Sequence, residues 1–104
     1  MYSLKETEEF ENEFKKIPKD IKLRFENQFK KVAENPYSLG KPLGYKWFRE
    51  LKNKGYRVYY IIYDKEVVVL FVGVSGKKTQ QKVIDFVNNN LESFKDSIKK
   101  EKKL

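Results

Sequence analysis

The chain has 104 residues, enough for one domain with one core, and 39% of them are hydrophobic against 37% charged. It contains neither cysteine nor histidine. That excludes a disulfide framework, a thiolate or imidazole metal site and the usual general acid–base group near neutral pH, so no metal and no cofactor is expected. No apolar run approaches the roughly 20 residues that cross a bilayer. The N-terminal MYSLKETEEF lacks the basic-then-apolar order of a signal peptide. A cytoplasmic protein without a membrane partner is the expectation.

The net charge is +8, and it is unevenly placed. Residues 1–35 hold eight basic and eight acidic residues, whereas residues 36–104 hold fifteen and seven. Such asymmetry favours nucleic acid or an acidic protein as partner, against the plainer reading of solubility. Eight Phe, seven Tyr and one Trp supply a credible core.

Taken in order, residues 2–5 form a candidate edge strand. Thr7 is a candidate N-cap followed by acidic residues, and Phe10, Phe14 and Ile17 recur on one helical face. Pro18 ends this helix or opens the next, whose apolar stripe is Ile21, Phe25, Phe29 and Val32. Glu34-Asn35-Pro36 stops it. Residues 35–46 hold two prolines and two glycines and read as a loop long enough to be functional. From Trp47 to Val74, the loops Asn53-Lys54-Gly55 and Asp64-Lys65-Glu66 divide an aromatic and β-branched stretch into a three-stranded antiparallel meander. Alternation turns Leu51, Tyr56, Val58, Tyr60 and Ile62 toward the helices, and Phe48, Glu50, Lys52, Arg57 and Tyr59 away from them. The run from Val67 to Val72 is apolar on both faces and reads as the central strand, covered on both sides.

A last helix begins near Thr79, with Val83, Val87, Leu91, Phe94 and Ile98 at near-heptad spacing. Asn88-Asn89-Asn90 is suited to ending or bending it. Its first half is expected on the sheet, leaving the second half spare as a docking or dimer surface. The fold class expected is α+β: two N-terminal helices on a small antiparallel sheet, plus a C-terminal helix. One domain spans residues 1–104, with a frayed tail from about residue 99.

Four motifs occur in a telling order: Glu34-Asn35-Pro36 with Gly40-Lys41-Pro42-Leu43, then Gly55-Tyr56-Arg57-Val58-Tyr59-Tyr60, then Val67-Val68-Val69-Leu70, then Ser75-Gly76-Lys77-Lys78-Thr79-Gln80. Together they resemble the RelE/ParE superfamily of toxins of type II toxin–antitoxin systems, the last motif being similar to its HigB-like branch. The resemblance implies a compact toxin wrapped by a cognate antitoxin, expected to be acidic and encoded nearby. It implies a ribosome-dependent mRNA endonuclease acting on mRNA on the ribosome, or, in the ParE branch, a poison of DNA gyrase. The cleavage implied is metal-free attack of the ribose 2′-OH on the adjacent phosphate, which needs a base, an acid and cations for the transition state.

On that resemblance, Arg57 corresponds to a phosphate-contacting arginine, Lys77 falls near a second arginine with Lys78 beside it, and Lys52 matches a recurring basic position. Phe48 and Glu50 stand where RelE-like enzymes carry lysines, and Val83 falls at about the position of a tyrosine. Glu50-Leu51-Lys52 is similar to a HigB-like segment. The candidate catalytic set is therefore Arg57, Lys52, Lys77 and Glu50, with Arg49, Lys54, Lys78, Lys82 and Gln80 as RNA contacts. Each has a plainer reading. Glu50 is either the base or a salt-bridge partner of Lys52 or Arg57, and a carboxylate among cations is a weak base. The lysines and Gln80 are either RNA contacts or an ordinary solvated surface. The alternative function is a non-catalytic, ParE-like member that binds a protein or nucleic acid target.

Overall fold

The computed structural model describes residues 1–102, with side chains through Lys99. The elements are β1 (Ser3–Glu6), α1 (Glu8–Phe14), α2 (Lys19–Glu34), β2 (Lys41–Pro42), β3 (Phe48–Asn53), β4 (Tyr56–Tyr63), β5 (Val68–Ser75), α3 (Gln80–Asn89) and α4 (Leu91–Lys102). The strands form one sheet in the order β1-β5-β4-β3-β2. The α+β class and the β3–β4–β5 meander agree with the sequence reading. The sheet is larger than the meander, because β1 adds to β5 in parallel and the two-residue β2 pairs with β3.

Local chemistry explains the boundaries. Thr7 caps α1, its hydroxyl oxygen accepting from the Phe10 amide at 3.1 Å. Pro18 is the N-cap of α2 and belongs to the second helix. Lys54 and Gly55 both adopt positive φ, 52° and 86°, which closes the β3–β4 hairpin with the twist that primed turns provide. The turn before β5 includes Val67, at φ 55° and largely exposed, so β5 begins one residue later than the apolar run suggested. The middle of the sheet is β4, with β5 beside it.

Two cores lie on the two faces of the sheet. On one, Phe10, Ile17, Ile21, Phe25 and Val32 of the α1–α2 layer meet Leu51, Val58, Tyr60, Ile62, Val69 and Phe71. The rings of Phe29 and Phe71 approach to 4.3 Å between centroids and those of Phe10 and Phe71 to 5.4 Å. Each such ring contributes roughly 1.5–3 kcal/mol by leaving water. On the other face, Phe48, Tyr59, Ile61, Val68, Leu70 and Val72 pack against Val87, Phe94 and Ile98. The C-terminal helix breaks at Asn90, whose side-chain amide donates to the Phe86 carbonyl. The break lets α4 fold back on the sheet, so the second half of the apolar stripe is buried and is not spare: Phe94 is 8% and Ile98 3% exposed. The end of the tail at residues 103–104 lies outside the described residues.

One irregularity decides where the last helices sit. Tyr59 pairs with Gly73 but Tyr60 pairs with Phe71, so Val72 is an extra residue in β5, a bulge. After it the alternation of β5 is reversed. A Cβ on Gly73 would stand 2.8 Å from a methyl of Val83, so the missing side chain lets α3 rest on the strand. Gly73→Ala is expected to lower stability by about 1–3 kcal/mol, the usual cost of overpacking. Val83→Ala added to it should recover part of that loss. Urea denaturation of the two variants and the parent checks this; a Gly73→Ala midpoint equal to the parent's would refute it.

Candidate functional site

The face of the sheet under α3 carries the even residues of β3 and the odd residues of β4. The register sets Lys52 opposite Arg57 and Glu50 opposite Tyr59. On the other side Arg57 pairs with Ser75, which the bulge has turned onto this face. Glu50 and Arg57 form an ion pair at 2.9 Å between Oε1 and Nε, with side chains only 6% and 8% exposed. The Nε–H does not point along that line, so the contact is charge against charge and not a hydrogen bond. Arg57 also places Nη1 3.4 Å from the Gly55 carbonyl. Gln80, at the start of α3, donates from Nε2 to the same Glu50 oxygen at 3.0 Å. Beneath them the hydroxyls of Tyr59 and Ser75 share a hydrogen bond of 2.8 Å, buried from solvent.

The candidate residues are thus sorted into groups. Glu50 and Arg57 come together as a buried pair with the half-buried Gln80 beside them, in the salt-bridge arrangement that was the plainer reading for Glu50. Lys52 near the end of β3, Lys54 on the hairpin turn, and Lys77 and Lys78 on the β5–α3 connection are exposed at the same end of the sheet. Lys82 is also exposed, but it lines a separate cavity of about 250 Å³ with Glu9 and Glu13, on the α1 side of α3. Arg49 lies on the opposite face and is 8% exposed. Its guanidinium donates to the Leu39 carbonyl at 2.8 Å, the Lys46 carbonyl at 3.0 Å and the Gly40 carbonyl at 3.1 Å. Arg49 therefore holds the loop between α2 and β3 instead of facing a ligand. Tyr60 helps: its hydroxyl reaches the Pro36 carbonyl at 2.8 Å and the Leu39 carbonyl at 3.0 Å, one proton shared between them. Gly40, at φ 75°, fits there because a Cβ would stand 2.8 Å from the Glu50 carbonyl oxygen.

Two members of the cluster, Tyr59 as a polar group and Ser75, were not anticipated from the sequence. The signal that could have found Ser75 is Gly73, a glycine inside a strand and hence a candidate bulge. Chemically, the cluster presents a buried arginine whose charge is offset by a carboxylate, with exposed ammonium groups at the same end of the sheet. It suits a polyanion held by many weak contacts. Among the described residues, no group of three Asp or Glu side chains is placed to hold a metal, and no helix is long and apolar enough to cross a membrane.

The fold and sequence have relatives. The family described as "ParE toxin of type II toxin–antitoxin system, parDE" matches residues 4–81, from β1 to the start of α3. No curated protein matches the chain. Among solved structures, a chain of the intact Escherichia coli RelBE toxin–antitoxin complex is 25% identical, with TM-score 0.66, over 73% of this chain and 96% of that one. The isolated E. coli RelE toxin is 22% identical, with TM-score 0.67, over 84% and 99%. A chain of the Mycobacterium tuberculosis RelBE2 toxin–antitoxin complex is 24% identical, with TM-score 0.61, over 72% and 96%.

Burial holds the phenols of Tyr59, Tyr60 and Tyr63 up to about 12, against an ordinary value of 10.0. For Tyr59 the bond from Ser75 opposes burial, and for Tyr60 the Arg49 charge does; for Tyr63 the Glu66 charge adds to it. The unfolded chain then loses these protons near pH 10 while the folded chain keeps them, so stability contributed below pH 10 is lost as pH rises toward 12. The urea midpoint is expected to fall steadily between pH 10 and 12, with the phenolate absorbance of the three tyrosines rising only on unfolding. A flat midpoint over that window would contradict it.

Proposed function

The chain belongs to the ParE toxin family of type II toxin–antitoxin systems, within the RelE/ParE superfamily, and from that premise we propose that it is a ribosome-dependent mRNA endonuclease that inhibits translation in the cytoplasm. The observation that supports this reading is the buried Arg57–Glu50 pair at the end of the sheet where Lys52, Lys54, Lys77 and Lys78 are exposed. Lysines on short loops follow a phosphate backbone, and Arg57 supplies a cation whose position is fixed. In this reading the 2′-OH loses its proton, O2′ bonds to phosphorus, and the bond to O5′ breaks with proton return to O5′. Arg57, Lys52 and Lys77 stabilise the charge on the phosphate oxygens, and Glu50 is the carboxylate at hand for the 2′-OH proton. A cognate antitoxin neutralises the toxin. The +8 net charge makes an acidic antitoxin, encoded beside it, the natural partner.

A second reading is favoured by one specific observation. The carboxylate that a base would need is already engaged by Arg57 and Gln80. A surface that only binds, in a ParE-like member acting on a protein or nucleic acid target without cutting RNA, fits that arrangement.

A translating extract separates the two. Under the endonuclease reading, the protein produces codon-phased cuts in ribosome-bound mRNA, and Arg57→Ala slows cutting by about 10²–10³, the usual effect of losing one charge-stabilising donor. Growth arrest with intact mRNA would reject the endonuclease reading and select the second. Glu50→Gln removes the counter-charge from Arg57 and is expected to tighten binding of a short RNA in filter binding; weaker binding would show that the pair serves to position Arg57.

A further inference from the structure

The far end of the sheet carries a cavity that the cationic cluster does not use. It has a volume of about 420 Å³ and lies between the β4–β5 turn, Trp47 and α4. That falls in the range of roughly 300–1,000 Å³ typical of small-ligand sites. Six residues of β4 separate Tyr63 at this cavity from Arg57, about 20 Å at the rise of a strand.

Its walls divide into two kinds. Trp47, Tyr63 and Leu91 provide aromatic and apolar surface, each half-buried. Trp47 is stiffened on one side by Tyr45, stacked at 4.5 Å and 15°. The Tyr63 phenol is neutral near neutral pH, as any tyrosine is, so it adds no charge to the wall. The rim is cationic along α4. Leu91, Lys95 and Lys99 fall four residues apart and share one face of the helix, while Phe94 and Ile98 turn into the sheet. Lys95 and Lys99 are both exposed, and Lys65 reaches the cavity from the turn. Two acids also line it. Asp64 accepts from the hydroxyls of Tyr2 at 2.7 Å and Tyr37 at 2.6 Å, and its charge, like that of Glu66, opposes the lysines.

We propose that this cavity binds a nucleotide, with its base against Trp47, Tyr63 and Leu91 and its phosphate at Lys95 and Lys99. Aromatic faces accept any base by stacking, and a pair of ammonium groups one helical turn apart suits a phosphate. The same chemistry is offered by a free mononucleotide and by one nucleotide of an RNA strand. The site is independent of whether the cluster around Arg57 cuts RNA, and so is its test.

Trp47 is the sole tryptophan, so its fluorescence reports this cavity. The full chain is titrated with adenosine 5′-monophosphate, with an RNA tetranucleotide and with a glutamate-rich peptide. Saturable quenching by the mononucleotide supports the proposal and assigns the site to free nucleotide. Quenching by the tetranucleotide alone supports it and assigns the site to a strand. Lys95→Ala with Lys99→Ala, both on exposed helix positions, is expected to weaken either by at least about tenfold. Glu66→Gln is expected to tighten it, and Lys30→Ala, an exposed lysine on α2 outside both sites, to leave it unchanged. Absence of quenching, quenching indifferent to the double lysine variant, or quenching by the acidic peptide only would overturn the proposal.

Discussion

The bulge in β5 is the constraint on which the second face of this protein depends. With regular alternation, Ser75 would sit under the α1–α2 layer and the chain would leave the sheet on the wrong side. The extra residue at Val72 reverses the alternation, sets Ser75 against Tyr59, and starts α3 directly above Glu50. Gly73 makes this possible twice over. It offers no side chain at the disturbed position, and it allows the Val83 methyl to come within a distance that any Cβ would forbid. One small residue thereby fixes both the course of the last strand and the height of the helix that covers the cluster.

Two arginines on neighbouring strands and opposite faces of the sheet show how similar burial yields different consequences. Arg49 and Arg57 are 8% and 7% exposed. Arg49 has its charge spread over three backbone carbonyls and locks a loop that otherwise has little secondary structure. Arg57 faces a carboxylate and a single distant carbonyl. Removing two charges from water costs several kcal/mol per ion, and a buried pair recovers that only with good geometry and further hydrogen bonds. The Glu50–Arg57 contact lacks an aligned hydrogen bond, and Gln80 supplies one of the missing partners on the carboxylate. Such a pair is a poor source of stability and a good way of fixing the direction of a cation.

Much of this was legible in the chain. Alternation assigned Leu51, Val58, Tyr60 and Ile62 to one face and Phe48, Glu50, Arg57 and Tyr59 to the other, because a half-buried strand writes its faces with a period of two. The Thr7 cap and the break at the asparagine run were equally local. What escaped was non-local. The parallel pairing of β1 with β5 joins segments more than sixty residues apart, and nothing in Ser3–Glu6 announces it. Arg49 looked like one more cation beside Lys52 and Lys54, because burial of a charged residue depends on where a distant loop brings its carbonyls. The Val83–Ile98 stripe was read as half spare for a related reason: a kink at Asn90 redirects α4, and periodicity alone does not give the angle. Lys82 lies on the α1 side of α3, away from the other lysines, which its place in the sequence did not reveal.

The distribution of charge by depth bears on how an anion would meet this surface. The lysines of the hairpin turn and the β5–α3 connection are exposed, while Arg57 is buried. An approaching polyanion meets the screened, exposed charges first, and their attraction weakens steeply with salt. The buried pair is screened much less. On the proposed function, selectivity between one anion and another would be decided at depth, by whether the ligand offers Arg57 a better partner than Glu50 already does. Glu50 sets that threshold, and Gln80 ties it to the position of α3. The identity of residue 50 thus bears on the charge at Arg57 and, through Gln80, on the start of the helix above it.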